Sequence, residues 1–181
     1  MEIATATPTF APADSPDPAL EGRRFPDIDL PDHTGRRRRL AEISAGDPVA
    51  LVFSRGWWCP KEQRYMRELV RLQEQLEVAY ARLVVVSVDS PEVQAAFRAG
   101  LGARFVFLSD SERSWLTRLG LGEETDTLHH PYRPAAFTLQ PDLTIHRAYN
   151  GYWYLGRARL DELLADLREI SRAIRTDWAL P

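Results

Sequence analysis

A single α/β domain, with a mixed β-sheet flanked by helices, is the fold class that three observations predict. Short unbroken apolar runs such as Val49–Phe53 have the character of strands buried on both faces. Segments of helical period alternate with them, which implies parallel strands covered by helices. The chain of 181 residues is 44% hydrophobic and 27% charged, near the average for one globular domain.

Residues 1–21, rich in Pro, Ala, Thr and Asp, show neither strand nor helix period, and prolines at 8, 12, 16 and 18 remove backbone donors. A flexible arm is predicted there, followed by one domain over 22–181. Phe25–Leu30 alternates apolar and polar residues, Pro31–Gly35 is turn chemistry, and Arg36–Leu40 returns as the second strand of a hairpin. Asp27, Asp29 and Asp32 lie beside the arginines, so the basic run is read as a solvated face and not a nucleic-acid patch.

After the Val49–Phe53 strand, Tyr65, Leu69, Leu72 and Leu76 mark one face of a helix from Pro60 to about Tyr80. Leu83–Val88 is a second buried strand. Ser90-Pro91 opens a helix that Gly100 stops. Phe105–Leu108 is a third strand, and Ser109 and Glu112 have capping-box spacing before a short helix ended by Gly120. Ala135–Leu139 and Thr144–Tyr149 form a hairpin, and a last helix carries Leu160, Leu163, Leu167 and Ile170 on one stripe.

Composition narrows function. A net charge of -3 argues against broad attraction to nucleic acid or an anionic membrane. Without an apolar run of about 20 residues or a secretory leader, a cytoplasmic protein is expected. The single cysteine, Cys59, precludes an intrachain disulfide and any cysteine cage for a metal. His129-His130 is read as a solvated loop, Gly100-Leu101-Gly102 follows a helix instead of opening one, and Ser87 and Ser109 lack a nucleophile elbow. No metal and no cofactor is expected.

Chemistry therefore centres on Ser54-Arg55-Gly56-Trp57-Trp58-Cys59-Pro60. Pro60 suits the first helical position and places Cys59 at the N-cap, where the helix dipole favours negative charge on sulfur. Arg55 adds a cation if its side chain turns back. Trp57 and Trp58 either shield the thiol, line a pocket with Gly56, or simply cover the core. Tyr149–Tyr154 is a second aromatic cluster, open to readings as a lid, a homodimer face or ordinary packing.

VALVFSRGWWCP, the helix after it, and LVVVSVDSPE resemble peroxiredoxin-like redoxins of the thioredoxin-fold superfamily, of the alkyl hydroperoxide reductase and thiol-specific antioxidant type. FPDIDLPDHTG, FVFLSDSE and RPAAFTLQPDLTIH extend the resemblance from about Gly22 to Ile174. It implies a thioredoxin-like fold, and Cys59 as the peroxidatic cysteine. It implies that Arg133 is a cation helping to hold the thiolate, and that Pro134 matches the proline that is cis in thioredoxin folds. Gly56, Trp57, Trp58, Pro60, Glu62 and Pro134 would line the substrate pocket. The implied activity is reduction of hydrogen peroxide or organic hydroperoxides, with an external thioredoxin- or glutathione-like thiol, or a second copy's Cys59, as reductant. This chain departs from the family's Pro-x-x-x-Thr/Ser-x-x-Cys at Val52 and Gly56, and carries Glu62 where related redoxins have a second cysteine. A redox-sensing or binding protein on the same fold is the alternative.

Overall fold

The computed structural model describes residues 9–12, 15–151 and 156–175. Val49–Phe53 forms β3, wholly buried at the centre of a five-stranded sheet. Its neighbours are β4 (Arg82–Ser87), parallel, and β6 (Ala135–Leu139), antiparallel. Outside these lie β5 (Val106–Ser109), parallel to β4, and β7 (Ile145–Tyr149), antiparallel to β6. The predicted hairpin is present as a separate two-stranded sheet, β1 (Asp29–Pro31) and β2 (Arg37–Arg39). Its turn is built on Asp32, whose Oδ1 accepts from the Thr34 and Arg36 backbone N–H groups and the Thr34 hydroxyl.

The period-two pleat sorts side chains into two cores. Leu51, Phe53, Val84, Val86 and Phe137 face the hairpin side. Ala50, Val52, Val85 and Ala136 face α2 (Pro60–Val78) and α5 (Leu160–Ile174), which bury Leu69, Leu76, Leu163 and Leu167. α3 (Pro91–Leu101) begins at its Ser90 cap and ends at Gly102, in the left-handed region, so Gly100 lies inside it. A five-residue helix, α1 (Leu40–Ser44), had no sequence signal of its own.

The predicted Ser109/Glu112 cap gives way to Asp110. Its buried carboxylate accepts from the Trp115 and Leu116 N–H groups at the start of α4 (Ser114–Leu119) and from the Tyr132 hydroxyl at 2.6 Å. A carboxylate one residue along, already anchored by Tyr132, outcompetes the local pattern.

The described parts of the N-terminal arm lie against the domain. Phe10 is fully buried, 5.4 Å from Phe25 and 5.2 Å from Phe137 between ring centroids. Its N–H donates to Leu119 O at 2.7 Å, and Asn150 Nδ2 donates to Ala11 O at 2.9 Å. Proline-rich flanks concealed one aromatic with a core position. No helix among the described residues is long and apolar enough to cross a membrane.

Candidate active site

The chain leaves the central strand at Phe53 and must reverse within six residues to enter α2. Gly56 makes this feasible with φ +129°, and a Cβ there would lie 2.8 Å from Trp58 Nε1 and 3.0 Å from an Asp89 oxygen. The Cys59 N–H then closes the turn on Gly56 O at 3.2 Å, and the Cys59 carbonyl accepts from Gln63 N at 3.0 Å. Cys59 is thus the N-cap residue of a 19-residue helix with Pro60 at its first position, 5% exposed.

Three carboxylates grip this turn, two of them from distant segments. Asp89, just after β4, accepts the Trp57 N–H at 3.0 Å and the Ser87 hydroxyl at 2.9 Å. Burial pushes its carboxyl above the ordinary range, against both hydrogen bonds. Asp126 takes the Arg55 guanidinium at 2.7 Å. Glu62, one turn into α2, points inward and is buried, accepting the Ser54 hydroxyl at 3.3 Å and pairing with Arg157. Burial raises the Glu62 carboxyl, while Arg157 and Ser54 pull it back.

Trp57 and Trp58 part company. Trp57 is 48% exposed, while Trp58 is half-buried, its ring stacked on His129 at 3.7 Å and lying 5.3 Å below the Arg55 guanidinium carbon. His129, expected in a solvated loop, is held by Asp126 through its ring at 3.1 Å and its backbone N–H at 3.0 Å. Sheet register brings Pro134 to this end of the molecule, since Ala135 pairs with Phe53. The Arg133–Pro134 bond is trans, feeding straight into β6; Ser15–Pro16 is the cis bond among the described residues. Pro134 O meets Gly156 so closely that a Cβ there would fall 1.7 Å away.

The nominated cations diverge. Arg55 faces Asp126 and Trp58. Arg133, buried, donates to Gly120 O at 2.8 Å, to Asn150 Oδ1 at 3.1 Å, and to Phe10 O, so these bonds tie it to the N-terminal segment. The cation that meets the carboxylate one turn after Cys59 is Arg157, which sequence reasoning missed; Gly156-Arg157 just before α5 was its one local mark. Of the second aromatic cluster, Tyr149 is buried with its hydroxyl on Asp166 at 2.8 Å, and 152–154 lie outside the described residues.

The AhpC/TSA family model matches residues 22–148. The chain belongs to the AhpC/TSA family. A Mycobacterium tuberculosis protein named as a peroxiredoxin is 28% identical over 152 residues, 82% of this chain and 96% of that one. The thiol:disulfide interchange protein DsbE of Pseudomonas aeruginosa is 44% identical over 62 residues, 34% of each chain. The crystal structure of peroxidoxin BcpB from Mycobacterium tuberculosis superposes with a TM-score of 0.71 at 23% identity, covering 86% of this chain and 98% of that one. This AhpC/TSA chain therefore has the peroxiredoxin form of the thioredoxin fold, and its family supports thiol peroxidase activity in general.

Proposed function

We propose that the chain is a one-cysteine thiol peroxidase. The Cys59 thiolate attacks the outer oxygen of hydrogen peroxide or an organic hydroperoxide, and the O–O bond breaks. The leaving oxygen takes a proton and departs as water or an alcohol, while sulfur becomes sulfenic acid. An external thioredoxin- or glutathione-like thiol, or a second copy's Cys59, condenses with the sulfenic acid to a disulfide and releases water; further external thiol then exchanges with that disulfide, returning Cys59 to the thiol and leaving as its own disulfide. The start of α2 faces developing negative charge, and Arg55, held on Asp126, and Arg133 are assigned supporting roles as cations behind it. A cytoplasmic setting goes with this reading.

One observation carries the proposal. The sole cysteine stands at the N-cap position of a long helix just past the central strand, and the carboxylate one turn on is paired with Arg157 and accepts from Ser54. The departure at Glu62 thus does not set an unpaired negative charge against the thiolate. A redox-sensing protein without turnover is favoured by Gly56, which stands where the resemblance expects a hydroxyl.

Stopped-flow oxidation of reduced protein by hydrogen peroxide and by an organic hydroperoxide, with sulfenic acid trapped at Cys59, decides between them. A rate far above that of free cysteine supports the peroxidase; a rate equal to it overturns the peroxidase and leaves the sensor.

A further inference from the structure

The loop 121–131 has no part in the reaction as written, yet one of its carboxylates reaches the Cys59 turn twice. Asp126 accepts the Arg55 guanidinium at Oδ2, 2.7 Å away, and the His129 backbone N–H at Oδ1, 3.0 Å away, while the His129 ring Nδ1 reaches both oxygens at 3.1 and 3.2 Å. Both partners of Asp126 also meet Trp58, which is stacked on the His129 imidazole at 3.7 Å and lies 5.3 Å from the Arg55 guanidinium carbon. Arg55 and Trp58 are the fourth residue and the first residue before Cys59 in the chain.

We propose that Asp126 is a positioning residue for the Cys59 turn, locking Arg55 and Trp58 in place through a clasp of Arg55, Trp58, His129 and Asp126. The clasp has the ingredients of a rigid hold. Its ion pair is mostly shielded from solvent, with Arg55 and Asp126 side chains 17% and 13% exposed. The aromatic stack and the cation over the indole add contacts that are sensitive to orientation. Because one carboxylate serves both arms, removing it frees the cation and the indole together. Small displacements of a reacting group cost large factors in rate, so the effect should reach the sulfur.

The inference rests on the peroxidase reading, and the test separates the two. Asp126→Asn keeps the size of the side chain and lowers the rate of Cys59 oxidation by about tenfold. Combining Asp126→Asn with Arg55→Ala costs no more than the worse single change within about twofold, since both break one unit. Trp58 emission, read as the difference between otherwise identical proteins with and without Trp58→Phe, is the second readout: Asp126→Asn frees the indole from its stack on His129, and both the intensity and the maximum of that emission change. An unchanged oxidation rate in Asp126→Asn, multiplying single effects, or a Trp58 emission that is the same with Asp126 and with Asn overturns the clasp while wild-type protein still reacts fast. Wild-type oxidation no faster than free cysteine overturns the peroxidase instead; the Trp58 emission then still decides whether the clasp exists.

Discussion

The two sides of β3 are held together by different physics. On the hairpin side, Phe10, Phe25, Phe53, Tyr132 and Phe137 make a continuous aromatic core, with ring centroids of successive pairs 4.9 to 6.2 Å apart. At the end of the same strand, the Cys59 turn is fastened by Asp89, Asp126 and Glu62, each reaching across from another element or turn. The aromatic region draws stability from area removed from water and tolerates small shifts in direction. The turn draws definition from directed bonds, and a single lost partner leaves a buried charge. Stability and reactivity should therefore respond to different substitutions.

The sharpest separation is Cys59→Ser, which abolishes peroxide consumption while the melting temperature stays within a few degrees of wild type. Continued turnover in a coupled peroxidase assay would break the contrast at its root. In the opposite sense, Phe10→Ala should cost about 3–5 kcal/mol in urea unfolding, because it leaves a cavity between Phe25 and Phe137. Its rate of Cys59 oxidation, measured under conditions where the protein is folded, should stay within a few-fold of wild type.

Arg157→Met belongs to both worlds, since it strands the buried Glu62 carboxylate; about 3 kcal/mol of stability and a slower oxidation are expected together. An effect on only one of the two would show that the pair supports either the helix start or the thiol, but not both.

The smallest effect is in acid. Burial raises the Asp126 carboxyl, but His129 and Arg55 more than offset this and bring it from an ordinary 3.8 down to about 2. A lowered value means that its contribution is present above about pH 4 and lost as pH falls toward 2. The stability gap between wild type and Asp126→Asn, about 1 kcal/mol for a single ion pair in a surface loop, should close over that window in urea titrations. Glu62 carries the opposite sign: its raised value favours folding at low pH and loses that contribution as pH rises through the shifted value.

The same division explains what was legible in the sequence. Val49–Phe53, the Leu69–Leu76 stripe and Pro60 after Cys59 are local patterns, and each became the element it implied. Ser90 capped its helix as expected, but Gly102 and not Gly100 ended it, because a helix interior accepts one glycine at modest cost. Asp110 displaced the Ser109/Glu112 cap through its bond to Tyr132, 22 residues away. The polar grip on the turn spans separations of 32, 71 and 95 residues for Trp57–Asp89, Arg55–Asp126 and Glu62–Arg157. No periodicity encodes such pairs, so His129 looked like a solvated loop residue and Arg157 drew no reading at all.

The anchoring of Phe10 bears on where this protein can be cut. Family similarity begins at residue 22, and trimming to that point is the natural way to prepare a minimal version. Such a shortened chain would lose a ring from the middle of the aromatic cluster, and the carbonyl that receives the Arg133 guanidinium would go with it. The trimmed protein would then expose apolar surface beside an Arg133 that has lost one of its acceptors, a recipe for aggregation on purification. Homology limits and folding limits differ here by at least a dozen residues, and the longer boundary is the one to keep.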